Sequence, residues 1–181
     1  LERPAFLDHE GEMARRIAQH DWSATLGPIA GWQTSLRTTV GLIIRSATPM
    51  LLLWGVEGVM IYNDAYAAVA GDRNADLLGC GLREGWPEIA DFNDHVMHVV
   101  LAGQTLSYRD REFTFYRSGA PEHVWLNLDY SPAIDDSGRP AGVIAVVVET
   151  TERIAAERRA AAERQRQRQM LRQMPGIAAV L

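Results

Sequence analysis

The sequence predicts an α+β fold: a five-stranded antiparallel sheet with helices on one face, an N-terminal helical extension and a long C-terminal helix. Three observations carry this. Two strand-like runs come early and three come late, with short helical segments between, an order that one antiparallel sheet accommodates. The runs are short, β-branched or alternating, and bounded by turn residues. The last run, Gly142-Val143-Ile144-Ala145-Val146-Val147-Val148, passes through Glu149-Thr150-Thr151-Glu152-Arg153 into Ile154 to Gln173, a stretch rich in Ala, Glu, Arg and Gln with no Gly or Pro.

Each element has its own signal. Glu10 to His20 is a charged helical stretch with Met13 and Ile17 four apart, and the turn residues of Asp21 to Pro28 interrupt it. From Ser35 to Ala47 the residues Leu36, Val40, Ile43, Ile44 and Ala47 form an amphipathic face. Thr48-Pro49 ends that helix, because the residue before proline is pushed out of the α region. Met50 to Trp54, the turn Gly55 to Gly58, and Val59 to Tyr62 read as a β-hairpin. Asn63 or Asp64 caps a helix over Ala65 to Ala70, stopped at Gly71, and a second short helix around Ala75 to Leu78 stops at Gly79. Gly85-Trp86-Pro87-Glu88 is a break, and Phe92 to Leu101 is a longer helix stopped at Gly103.

Thr105 to Tyr116 then alternates, and the turn Ser118 to Pro121 leads into His123 to Ser131. There Val124, Leu126, Leu128 and Tyr130 share one face, while Trp125, Asn127 and Asp129 share the other. At the final strand's exit Thr150 or Thr151 can cap the helix, and Glu152 suits the positive end of the helix dipole. A sheet joined to a helix without a loop is a lever: what shifts the sheet moves the helix.

Composition narrows the function. A chain of 181 residues holds one domain plus an extension, and 47% hydrophobic residues with five Trp support a packed core. The apolar runs fall far short of the roughly 20 residues a membrane helix needs, so no membrane insertion is expected. The start, Leu1-Glu2-Arg3-Pro4, has no signal-peptide core and no Met, which reads as a fragment. One cysteine, Cys80, permits no internal disulfide and fits a reducing cytoplasm. All 18 basic residues are arginine, which removes P-loop and Schiff-base lysine chemistry. Seven Arg and three Glu between Glu152 and Arg172 give that helix +4, which leaves −9 on the rest of a chain of net charge −5. An acidic body argues against nucleic acid, and the basic helix reads as a solvated surface. No nucleophile elbow, zinc-protease motif or phosphate-binding glycine loop is present, so no catalytic residue is assigned.

The element order and several motifs together resemble a PAS domain, a sensory module common in bacterial signalling proteins. The resemblance covers about residues 48–153. It rests on Pro49-Met50 with Trp54-Gly55, Tyr62-Asn63-Asp64-Ala65-Tyr66, Leu78-Gly79 leading to Trp86-Pro87-Glu88, Tyr130 to Gly138, and the exit Glu149 to Arg153. In the family that exit is usually Asp-Ile-Thr followed by Glu and a basic residue. Here the acid is one methylene longer and the middle residue is polar. The upstream Asp21-Trp22-Ser23, Leu26-Gly27-Pro28, Trp32 and Ser35-Leu36-Arg37 look like the leader of PAS domains in bacterial sensor histidine kinases. The resemblance therefore implies a helical leader over residues 1–47, a PAS domain over 48–153, and a signalling helix or coiled-coil linker over 154–173. Residues 174–181 look like the start of a following domain, a second PAS.

Site candidates follow. Trp54, Tyr62, Trp86 and Phe92, with His95, are candidates for a ligand pocket between sheet and helices, the ligand itself unknown; the competing reading is core packing. Glu149, Thr150, Thr151, Glu152 and Arg153 are the candidate signal relay. Trp125 and Ile154 are candidate dimer contacts, with homodimerisation expected through the flanking helices. No cofactor is predicted. Cys80 invites comparison with the flavin-binding LOV subclass, but it sits two positions early in Gly79-Cys80-Gly81-Leu82-Arg83 and lacks the Asn and Gln partners, so a structural thiol is favoured. Haem needs a histidine aimed inward, and the family's ligand position falls on Phe92 rather than His95 or His98. Two histidines alone make no metal site.

The expected function is a cytoplasmic sensory and dimerisation module of a two-component sensor histidine kinase, with the kinase domains lying downstream in the same chain. The alternatives are a ligand-free assembly module, or a PAS sensor serving another output such as a diguanylate cyclase.

Overall fold

The structure, a computed structural model, describes residues 3–173. Its sheet has five antiparallel strands: β1 (Met50–Trp54), β2 (Val59–Tyr62), β3 (Leu106–Phe115), β4 (Glu122–Ile134) and β5 (Pro140–Glu149). Their order in space is β2-β1-β5-β4-β3, so the last strand in sequence lies in the middle of the sheet. Four helices connect β2 to β3 and cover one face: α3 (Asp64–Ala70), α4 (Asn74–Leu77), α5 (Leu82–Gly85) and α6 (Ala90–Leu101) in chain order. Two more precede the sheet, αN1 (Glu12–Gln19) and αN2 (Thr34–Ile43), and αC (Thr151–Gln173) follows it. The α+β class and the five-stranded sheet predicted from the sequence are those observed.

The period-two alternation of the strands divides the core. Leu51, Leu53, Leu126, Leu128, Ala145 and Val147 point to the helix-covered face, where αC's predecessor α6 packs on β3, β4 and β5. Leu52 and Ile61 are cross-strand partners on the opposite face, yet each is wholly buried. The leader supplies their cover, because αN2 packs on β1 and β2. Burying one such side chain contributes about 1.5–3 kcal/mol.

Asn63 joins leader, sheet and helices. It is 1% exposed. Its Oδ1 accepts from Met50 N at 3.1 Å and, as the α3 N-cap, from Tyr66 N at 2.9 Å. Its Nδ2 faces the carbonyls of Ile43, Ser46 and Thr48 at 3.2, 3.1 and 2.7 Å. αN2 ends at Ile43 rather than at the predicted Ala47 because its last turn tightens, with Arg45 N and Ser46 N donating to Leu42 O and Ile43 O at 3.2 and 3.0 Å, and Asn63 faces the carbonyls of Ser46 and Thr48 beyond it. Gly79 marks a second docking point. Its φ is +81°, and a Cβ there would stand 2.2 Å from His20 Nε2 of the leader.

Three further elements differ from the sequence reading. α5 is too short to show a helical period and was hidden in the break around Gly85. β4 continues past the predicted Ser131 through Pro132. β3 has already ended at Leu106 opposite Tyr130, so on that side β4 is an edge and a missing N–H is tolerated. β3 carries a bulge between Tyr108 and Arg111 that leaves Asp110 at φ +48°. Among the described residues no helix is long and apolar enough to cross a membrane. Residues 174–181, read as the start of a following domain, lie outside the described residues.

Candidate functional site

Two features can carry function: a cavity inside the core and the junction between β5 and αC. The cavity, about 50 Å³, lies between the sheet and the helices. Leu51, Leu53, Leu126, Leu128 and Val147 form its floor, and Trp86, Phe92, Phe113, Phe115, Tyr66 and Tyr130 supply aromatic walls. Phe92 meets Phe113 edge-on at 5.0 Å, Trp86 lies tilted against Phe115 at 4.8 Å, and Phe113 stacks on Phe115 at 5.6 Å. No Asp, Glu, Arg or His is among the lining residues. Two cations stand behind the aromatic walls: Arg73 bonds both Glu88 carboxylate oxygens at 2.8 and 2.9 Å and stacks on the Trp86 ring at 4.6 Å, and Arg111 lies over the Phe92 ring at 5.8 Å.

The cavity's polar groups are few. Burial pushes the Tyr66 and Tyr130 hydroxyls far above the usual phenol range, with the Trp86 indole N–H partly opposing this at Tyr66. Both therefore stay neutral. Trp86 is 5% exposed and Asn93 6%. Asn93 Nδ2 is buried without a hydrogen-bond partner among the described residues, and Trp86 Nε1 lies toward the Tyr66 hydroxyl without reaching full hydrogen-bond geometry.

Of the five pocket candidates, Trp86 and Phe92 line the cavity and the other three do not. Trp54 follows Leu53, so alternation turns it to the opposite face, where it pairs with Val59 and Gly142. Tyr62 faces the helix side opposite Leu51 but stands outside the cavity, its ring 5.2 Å from Tyr66 and its hydroxyl donating to Asn74 O at 3.0 Å. Burial raises that hydroxyl to about 12. His95 is exposed, as is His98, because the buried face of α6 is Asn93, Val96, Met97 and Val100. That i, i+3, i+4, i+7 spacing was the signal that could have found Asn93.

The same geometry tests the cofactors weighed from sequence. Haem does not fit, because Phe92 occupies the inward position and neither helix histidine points in. A flavin photosite does not fit either. Cys80 is half-buried and is not among the cavity-lining residues, and burial raises its thiol above the usual range. Among the described residues no cluster of three His, Cys, Asp or Glu could hold a metal ion.

At the junction one residue, Thr150, separates β5 from αC. The ladder with β4 continues through it. Thr150 N donates to Trp125 O at 2.7 Å, and Trp125 N donates to Thr151 Oγ1 at 3.1 Å, so a hydroxyl on the helix's first residue replaces a strand carbonyl. Thr151 Oγ1 in turn donates to Glu149 Oε1 at 2.8 Å. Two clamps flank this seam. Arg117 bonds Glu149 at 2.8 Å, Glu122 at 2.9 Å and Val69 O at 2.8 Å, tying the end of β5 to the β3–β4 turn and to α3. On the other side Asp110, displayed by the β3 bulge, accepts from Thr150 Oγ1 at 2.8 Å and from Arg153. The Arg153 bond and then the Thr150 bond hold its carboxyl below the usual range. Glu149, Thr150, Thr151 and Arg153 of the predicted relay thus share one network. Glu152 is exposed and joins none of these bonds. Sequence reasoning missed Asp110 and Arg117, whose partners lie 40 and 32 residues away.

The dimer candidates are placed as follows. Trp125 is half-buried and covered by Arg158 of its own chain, at 4.7 Å over the ring. Ile154 is half-buried in the first turn of αC.

A family model described as PAS fold matches residues 46–155. Among solved structures, the PAS domain of Bordetella pertussis BvgS is similar, with a TM-score of 0.52 and 23% identity over 72% of this chain and 96% of that one. A Rhodobacter sphaeroides LOV protein matches with a TM-score of 0.50 and 17% identity, over 68% of this chain and 74% of its own. The phage VqmA–DPO complex matches with a TM-score of 0.50 and 20% identity, over 71% and 58% respectively. At these identities the likeness is one of fold. No curated protein matches the chain.

Proposed function

This chain belongs to the PAS family, and we propose that it is the sensory and dimerisation module of a bacterial two-component sensor histidine kinase, working in the cytoplasm. The observation that carries the reading is the β4–Thr150–Thr151 seam, which extends sheet hydrogen bonding into the first residue of αC. β4 and β5 also line the cavity through Leu126, Leu128, Ala145 and Val147. A change of occupancy there strains the same two strands whose backbone holds the helix. The lever needs only two arrangements a few kcal/mol apart, each biased by what the cavity contains.

The kinase assignment rests on the Asp21-Trp22-Ser23 to Arg37 leader, and phosphorylation itself belongs to domains downstream in the same polypeptide. The dimer reading rests on αC. Ile154, Ala161 and Leu171 give a broken apolar seam, with Arg168 in the heptad position after Ala161. Such a seam associates weakly, as a switchable linker must. Replacing Glu149 and Thr151 together with Ala in the full-length kinase tests the relay. Loss of stimulus-dependent autophosphorylation, with the domain still folded, is expected; unchanged regulation overturns it.

A further inference from the structure

We propose that Arg73 and Glu88 are positioning residues of the relay. They hold the backbone at Tyr116 and through it set the grip of Arg117 on Glu149, so that the helical layer reaches αC by a route that bypasses the β4–β5 ladder. The inference rests on reading Glu149 to Arg153 as a relay and gives that relay a second input.

Three observations converge. The first is that one ion pair gathers the helical layer and the end of β3. Arg73, between α3 and α4, bonds both carboxylate oxygens of Glu88 at 2.8 and 2.9 Å, Gly85 O at the end of α5 at 3.2 Å, and Tyr116 O at 3.3 Å. Glu88 closes the loop, because its Oε1 also accepts from Tyr116 N at 3.4 Å. Both backbone groups of Tyr116 are thus met by the two members of one pair. The Tyr116 side chain is exposed, so what the pair holds is the main chain.

The second observation is adjacency. Arg117 is the next residue, and its guanidinium bonds Glu149 at 2.8 and 3.3 Å. A peptide unit is planar, so Tyr116 O and the Arg117 Cα belong to one stiff plate. Moving the oxygen that Arg73 holds therefore moves the stem of the side chain that holds Glu149. The third is burial. The Arg73 and Glu88 side chains are 19% and 13% exposed and that of Arg117 13%, against 37% for Asp110 and 48% for Arg153 in the other clamp. Charges withdrawn from water are screened less and are costly to leave unpaired. The two buried pairs accordingly follow the backbone when it shifts, where an exposed pair would part into solvent. A displacement of Gly85 or Glu88 in the helical layer then alters the hold on Glu149 while β4 and β5 keep their register.

Contact alone does not establish coupling, so the test is a double-mutant cycle between Glu88 and Glu149. Hydrogen exchange of the Ile154 amide, which donates to Thr150 O at 3.0 Å, reports opening of the first turn of αC. It is read as a ratio to the Val147 amide, which donates to Pro49 O and reports the sheet. Glu88→Gln is expected to raise this ratio about fivefold and Glu149→Gln about tenfold, with the double variant also at about tenfold because Glu88 acts through Glu149. Combined with Asp110→Asn, on the other clamp, the Glu88→Gln factor should multiply in full. Arg73→Lys keeps the charge without the planar fork and should reproduce Glu88→Gln; it takes the place of Glu88→Gln in the cycle if that variant fails to fold. An unchanged ratio, as a merely structural pair would give, or Glu88 and Glu149 factors that multiply to within about twofold, would overturn the proposal. The relay reading is judged separately. Multiplying factors alongside a Glu149/Thr151 variant that loses regulation sink the second input and leave the relay standing. Coupled factors alongside a Glu149/Thr151 variant that stays fully regulated do the reverse.

Discussion

The leader and the exit helix are both helical appendages of one sheet, but opposite forces hold them. In the leader, Trp22 and Trp32 are 2% and 3% exposed and meet edge-on at 5.2 Å. Their indole N–H groups donate to Ile17 O and Gly27 O at 2.9 and 3.0 Å. Asp136, from the β4–β5 turn, accepts from Thr34 N and Ser35 N and so caps αN2 from across the fold. αC, by contrast, has 23 residues and buries none of them. Its helicity is local, drawn from Ala, Glu, Arg and Gln and from pairs such as Arg153 with Glu157 at 2.7 Å. The leader is therefore part of the body, and αC is a rod attached at one end. Movement of the body can reach αC only through its first turns.

The comparison breaks most readily at the leader. Trp22→Ala empties a buried site and removes a satisfied indole, so a loss of about 3–5 kcal/mol is expected in urea unfolding. A loss under ~1 kcal/mol would mean the leader folds independently of the sheet. Asn63→Ala comes next, at roughly 2–4 kcal/mol, because it strands the carbonyls of Ile43, Ser46 and Thr48 and the N–H groups of Met50 and Tyr66. Its signature is a fall in stability without loss of the αC helical signal.

Legibility followed the same divide. The strands and αC were readable because their patterns are local: Met50 to Trp54 is an apolar run between turn signals, and αC contains no breaker. The strand-to-helix junction was also readable, since Glu149 to Arg153 sit where a strand pattern gives way to a helical one. The cavity was not. Trp54 and Trp86 look alike in sequence, yet strand parity turns one away from the cavity while a four-residue helix turns the other into it. His95 drew attention as a chemically versatile side chain, whereas the helix presents Asn93. Asp110 needed the bulge, and no local pattern announces a bulge that pairs with a residue 40 positions on.

The Asp110 clamp sharpens the comparison through pH. Its carboxyl is held below the ordinary 3.8 in the folded protein, chiefly by Arg153 and then by Thr150. A depressed folded pKa stabilises the state above 3.8 and loses that contribution as pH falls through the lower native value. Amides of the first turn of αC should therefore exchange faster below about pH 4, while those of αN2 keep their protection. Asp110→Asn keeps an acceptor for Thr150 and tolerates the positive φ but removes the charge that Arg153 pairs with, so it should abolish this pH dependence and leave the first turn of αC exchanging at pH 7 as the native protein does in acid. Equal acid sensitivity in the variant would remove Asp110 from the clamp.

The smallest global effect is expected where the local damage is largest. Ala161 is exposed in the middle of αC, and a proline there costs the helix roughly 3 kcal/mol by intrinsic propensity. In the leader such a cost would fall on the whole domain. In αC the segment beyond the break has no buried side chain to couple it to the sheet, and a free helix of that length is marginal in water. Ala161→Pro should thus erase exchange protection beyond residue 161 while moving the global unfolding free energy by less than ~0.5 kcal/mol. A larger fall that grows with protein concentration would mean that αC is packed against a second copy, since a helix buried by association carries its damage into the assembly. The tether would then be one strand of a dimer.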